Sequence, residues 1–138
     1  MEGNKVDCFL FELISPEKFI LSERVTSVVL PSASGYLTVM ANHAPLVLSV
    51  VLGSVRVLSS SGERLFAVFG GVADVNSAGC SLLAERVIAV EHLSFDALEQ
   101  KISHVRAALE GKSDGESNHE VEKFFRQLTG VDGALMEA

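Results

Sequence analysis

The chain has 138 residues, 48% of them hydrophobic, with 11 Lys+Arg against 18 Asp+Glu. That length holds one ordinary domain, or a compact domain with a short appendage, and the hydrophobic share excludes disorder over most of it. The acidic balance argues against a nucleic-acid groove or an anionic membrane surface as the primary partner. In chain order, Asp7–Ile14 alternates with period two and predicts a strand, ended by Ser15–Pro16–Glu17. Phe19–Leu21 and Val25–Leu30 follow, the latter stopped by Pro31 and the small polar run after it. Gly35–Pro45 (GYLTVMANHAP) then reads as strand, exposed corner, strand. The glycine can take positive φ, and Pro45 pushes Ala44 out of the helical region.

Leu46–Val51, Ser54–Leu58, Arg64–Phe69, Val72–Val75 and Cys80–Ala84 are further apolar, β-branched runs, with Val87–Val90 able to extend the last. Gly70–Gly71 is expected to break its run, as a bulge or a close backbone approach within a strand. Short runs at intervals of about 8–12 residues, separated by turn signals, predict an antiparallel sandwich or barrel.

The pattern changes at Ser94. Phe95, Leu98, Ile102, Val105 and Leu109 share one helical stripe, with Ser94 as N-cap and Gly111 as the stop. Gly111–Asn118 has no apolar residue and reads as a flexible connector. Ser117 and Glu120 fit a capping box for a shorter second helix bearing Val121, Phe124, Phe125 and Leu128, closed by Gly130 with a fraying end. The expected fold is mainly β plus α: an antiparallel β-sandwich or barrel over 1–90, then an antiparallel two-helix hairpin over 91–138. Ten of the acidic and five of the basic residues lie from Glu91 onward, so the tail is the more solvated part.

Candidate chemistry is sparse. His43 sits on a stiff corner, where it can act in catalysis, meet a partner or simply fill a turn. Cys80, His43 and Asp74 are the residue types of a nucleophile, base and orienter, yet no nucleophile motif surrounds Cys80. His92, His104 and His119 lack an i, i+4 pair, which argues against a metal site. Gly70–Gly71 is followed by no Lys–Ser/Thr pair, which argues against a phosphate loop. Cys8 and Cys80 make no disulfide framework. The N-terminus has neither a signal-peptide nor a transit-peptide pattern, and the most apolar run, Leu46–Leu52, falls far short of the ~20 residues that cross a bilayer. The expectation is a soluble intracellular protein that binds rather than catalyses, with no catalytic residue, metal or cofactor.

Ser15–Pro16–Glu17, Gly35 leading into Asn42–His43–Ala44–Pro45, Leu52–Gly53–Ser54–Val55, Phe69–Gly70–Gly71 and Leu83–Ala84–Glu85 resemble, in order and spacing, the epsilon subunit of bacterial F-type ATP synthase. The resemblance covers nearly the whole chain. It implies a non-catalytic part of the rotor stalk at the cytoplasmic face of the bacterial inner membrane, without membrane insertion. Its partners would be the gamma subunit, through Ser15 and His43, and the c-ring, through Tyr36, where many relatives carry an acidic residue. The resemblance also implies that the hairpin can extend along gamma and block ATP hydrolysis by contact with the alpha and beta subunits. Helix two offers only Lys123 and Arg126 for this, countered by Glu120 and Glu122. Some relatives bind ATP through Ile/Leu–Asp–x–x–Arg–Ala. Here Asp96 is kept but Glu99 replaces the arginine, so weak or no nucleotide binding is expected. A stand-alone β-sandwich binding module is the alternative.

Overall fold

The computed structural model describes residues 7–128. Eight strands come first: β1 (Phe9–Ile14), β2 (Phe19–Val25), β3 (Ser27–Ser32), β4 (Gly35–Met40), β5 (Leu46–Ser49), β6 (Gly53–Ser59), β7 (Gly62–Asn76) and β8 (Gly79–Val90). Two helices follow, α1 (Phe95–Leu109) and α2 (Asp114–Leu128). Strand order is β2-β1-β8-β7-β6-β3-β4, with β5 paired to the far half of β7. The pairings are antiparallel except β1 with β8, which is parallel. The expected β architecture followed by a helical hairpin is therefore present.

The strands surround one apolar interior built from Phe11, Leu13, Val28, Leu30, Val55, Val57, Phe66, Val68, Leu82 and their neighbours. A second apolar cluster lies on the opposite face of β6, β7 and β8. There Leu52, Leu65, Ala67 and Val90 meet Leu98 and Ile102 of α1 and Val121, Phe124, Phe125 and Leu128 of α2. Of the helical stripes read from the sequence, Leu98, Ile102, Val121, Phe124, Phe125 and Leu128 are buried, and Phe95, Val105 and Leu109 are half-buried, against each other and against the sheet.

Gly70–Gly71 does not break its strand. β7 runs continuously from Gly62 to Asn76 and stays in register with β8, Phe69 opposite Arg86 and Gly71 opposite Ala84. What changes there is the face. Phe66 and Val68 point into the interior before the pair, and Ala73 and Val75 do so after it. On β8 the same switch separates Cys80, Leu82 and Ala84 from Val87. Both glycines have positive φ, 75° and 128°, and a Cβ on Gly71 would stand 2.1 Å from the Leu83 carbonyl oxygen. Of the bulge or close backbone approach expected of this pair, the close approach is what forms, and beyond it the odd-numbered residues of β7 take over the interior face.

Pro31 lies within β3 rather than ending it. α2 begins one turn earlier than expected. The capping box is Ser113 with Glu116, whose backbone N–H groups each meet the other's side chain at 3.0 and 3.3 Å. Asp114 and Glu116 then fall in the first turn, where the helix dipole favours anions, so α2 reaches 15 residues and the connector shrinks. α1 starts at the expected Ser94, whose side chain accepts from the Ala97 N–H at 3.1 Å. The expected stop at Gly130 and the fraying end lie outside the described residues.

Candidate functional site

Among the described residues, no group of three or more His, Cys, Asp or Glu side chains could hold a metal ion, and no helix is long and apolar enough to cross a membrane. The trio Cys80, His43 and Asp74 is not assembled into a nucleophilic site. Cys80 is 2% exposed in the interior, and burial, with a smaller contribution from the Asp74 charge, pushes its thiol up to about 12. His43 stays at the corner before β5, its Nδ1 3.0 Å from the Ala44 carbonyl oxygen and its N–H donating to the Met40 carbonyl at 3.2 Å. Native protein treated with iodoacetamide at neutral pH is expected to leave Cys80 unmodified until denaturant is added, which peptide mapping reads directly. Rapid native alkylation of Cys80 would contradict this burial.

The surface is more informative. Cross-strand partners share a face, and one line across the sheet joins Phe19, Ile14, Leu83, Val72 and Ser49 on β2, β1, β8, β7 and β5. The next inward line, Leu13 with Leu82 and Ala73 with Leu48, faces the interior. On the outer line Phe19 is 64%, Leu83 52% and Val72 47% exposed, and Val47, two residues along β5 from Ser49, is 70% exposed. A contiguous apolar row open to water is the usual mark of a contact surface. Ser15 follows Ile14 at one end of this row, and its hydroxyl and backbone close a turn with Lys18 at 2.9–3.3 Å. His43 lies in the corner feeding β5 at the other end, held by Asn42 in the left-handed region at φ 67°.

A second constellation joins α1 to the sheet. Ser54 on β6 is fully buried, and its hydroxyl donates to the Glu99 carboxylate. The Tyr36 hydroxyl donates to the same Glu99 oxygen at 2.5 Å and accepts from the Ser54 N–H at 3.2 Å. Arg106, two turns further along α1, donates to the Leu52 carbonyl through Nε and Nη2 at 3.1 and 2.7 Å and reaches the Tyr36 hydroxyl at 3.5 Å. On α2, Glu122 pairs with Arg86 of β8, whose guanidinium lies 5.3 Å from the centroid of the Phe125 ring. Asp96 is exposed, whereas Glu99 is turned into this contact. The Tyr36–Ser54–Glu99–Arg106 contacts join residues far apart in the chain, and no local sequence pattern connects them.

Comparison with known proteins agrees with the architecture. A family profile described as "ATP synthase, Delta/Epsilon chain, beta-sandwich domain" matches residues 8–90. The ATP synthase epsilon chain of Bartonella quintana is 67% identical over 138 residues, all of both chains. That of Rhizobium rhizogenes is 43% identical, covering 95% of this chain and 98% of its own. A cryo-EM structure of the Euglena gracilis mitochondrial ATP synthase that includes its c-ring contains a chain similar in fold, with TM-score 0.62, 21% identity and coverage of 98% and 86%. A chain of the Tetrahymena thermophila mitochondrial ATP synthase central stalk and c-ring gives TM-score 0.54 at 14% identity, covering 93% and 98%.

Proposed function

Since the chain belongs to the ATP synthase delta/epsilon family, we propose that it is a non-catalytic subunit of the rotor stalk, coupling rotation of a c-ring to ATP synthesis on other subunits through gamma. The observation that carries the surface assignment is the exposed row Phe19, Leu83, Val72 and Val47, flanked by Ser15 and His43. We assign it to gamma. Residues 1–90 are the contact unit and 91–138 the regulatory arm, with alpha and beta as the partners of a released hairpin. The protein is peripheral to the cytoplasmic face of a bacterial inner membrane in this reading, and the transported ion is a proton.

Placing carboxylates on this row, as in Val72→Asp with Leu83→Asp, leaves the interior untouched because both side chains point outward. Each buries against gamma in the assigned contact, and an uncompensated buried charge is expensive. Affinity for purified gamma is expected to fall on the order of 100-fold or more, measured by titration calorimetry, with the chain still folded. Unchanged affinity would remove the assignment. A stand-alone binding module predicts instead no co-purification with the other synthase subunits even for the natural sequence.

At the c-ring side, the β3–β4 tip offers Tyr36, 39% exposed. Its hydroxyl is already engaged with α1, so an apolar ring surface is what it presents outward. The Phe95–Gln100 stretch is proposed to hold no nucleotide. Glu99 would set a carboxylate against a phosphate, and it is held by Tyr36 and Ser54. Equilibrium dialysis of the full chain is expected to detect no sub-millimolar ATP binding.

A further inference from the structure

The hairpin touches the sheet through an apolar cluster and through one polar constellation, and the two do different work. Apolar packing holds α1 down without fixing its register. The polar contacts fix it. Ser54 is the one buried polar side chain among the described residues, and a buried hydroxyl needs a partner. Glu99 of α1 supplies a charged acceptor that two hydroxyls share. Arg106 closes the same side of α1 by donating twice to the Leu52 carbonyl.

Tyr36 is the hinge of this arrangement. Its hydroxyl meets Glu99, the Ser54 N–H and Arg106 at once, while its ring stands partly exposed at the β3–β4 tip. Gly53 makes this approach feasible, because a Cβ there would stand 2.4 Å from Pro31 Cβ and 3.0 Å from the Tyr36 hydroxyl. Beside the ring lies a groove of about 550 Å³, lined in part by Pro31, Val51, Phe69, Arg106 and Leu109. Because one hydroxyl serves three partners, any displacement of the ring would break all three contacts together.

We propose that Tyr36, Ser54, Glu99 and Arg106 form a latch that sets how often the helical hairpin leaves the sheet, and that Tyr36 carries the state of the β3–β4 tip into that latch. The role of a neighbouring subunit at the tip rests on the reading given above; the latch itself does not. In the released hairpin Glu99, Arg106 and Ser54 all reach water, so the latch biases an equilibrium rather than forbidding one.

The test is amide hydrogen exchange of the full chain, peptide by peptide. Glu99→Ala is expected to speed exchange across 95–128 by roughly ten- to a hundred-fold while β1–β8 peptides keep their rates. Tyr36→Phe keeps the ring, removes the hydroxyl and mimics a ring turned away; it is expected to speed the same amides about ten-fold. Glu99→Gln retains an acceptor oxygen and should fall between Glu99→Ala and the natural chain. Hairpin exchange unchanged in both Glu99→Ala and Tyr36→Phe, or sheet and hairpin accelerated equally, overturns the latch. Failure of the natural chain to co-purify with other synthase subunits would overturn the rotor reading alone, because the exchange result decides the latch without any partner present.

Discussion

Gly71→Ala is expected to leave the chain barely folded at growth temperatures. The added Cβ would stand 2.1 Å from the Leu83 carbonyl oxygen and 2.9 Å from Ala84 Cα, both backbone atoms of β8 that cannot swing aside. The residue also sits at φ 128°, where an L side chain is strained. Strain and overpacking each cost about 1–3 kcal/mol. Together they threaten much of the ~5–15 kcal/mol that holds a typical domain. Gly62→Ala is the control, with nearly the same φ of 120° but nothing within 4 Å of the new Cβ. Thermal melts followed by circular dichroism should show Gly71→Ala well below Gly62→Ala, which pays for strain alone. Equal melting points would mean that the β7–β8 ribbon yields at its crossing point and that the close approach contributes nothing.

That position also shows what the sequence could and could not convey. A glycine pair inside an apolar run announces an unusual backbone, and the close approach was legible from it. Whether the strand stops or continues with its face switched depends on β8 switching at the same level, between Ala84 and Val87, and no local pattern connects two segments that far apart. The helices show the complementary case. Periodicity gave every buried position of α1 and α2, because side chains at i, i+3 and i+4 share a face whatever surrounds them. The start of α2 was less secure, since Ser113–Glu116 and Ser117–Glu120 both spell a capping box. The earlier one prevails, adding a turn and placing Asp114 and Glu116 at the positive end of the helix.

The contact surfaces divide along the same line. The outer apolar row is alternation seen from its other side: once Leu13, Leu82 and Ala73 are inside, Ile14, Leu83 and Val72 must face out. Sequence gives the alternation of each strand, but only the register aligns them into one row across five strands. Tyr36 and Glu99 lie 63 residues apart, and no local pattern links them. In the structure the two meet, the Tyr36 hydroxyl at the β3–β4 tip donating to the Glu99 carboxylate of α1.

Phe125→Ala is expected to undock the hairpin while leaving the sheet folded. The ring is 2% exposed, packs edge-on against Phe124 at 5.6 Å and 88°, and lies beneath the Arg86 guanidinium. Removing a buried phenyl ring costs about 3–5 kcal/mol, and a 15-residue helix has little stability of its own to offset that. The interior cluster of the sheet includes no residue of either helix, so nothing in it depends on α2. Limited proteolysis should therefore cut within 95–128 at least ten times faster in Phe125→Ala while the N-terminal fragment resists. Phe11→Ala, which empties the interior instead, should expose both parts together, since the hairpin has no sheet to dock on once the strands part. If Phe125→Ala instead melts sheet and helices in one transition with equal proteolysis throughout, the two clusters act as a single cooperative unit. An arm that cannot leave without unfolding its base could not serve as a regulatory element, so this one substitution tests the physical premise of that role.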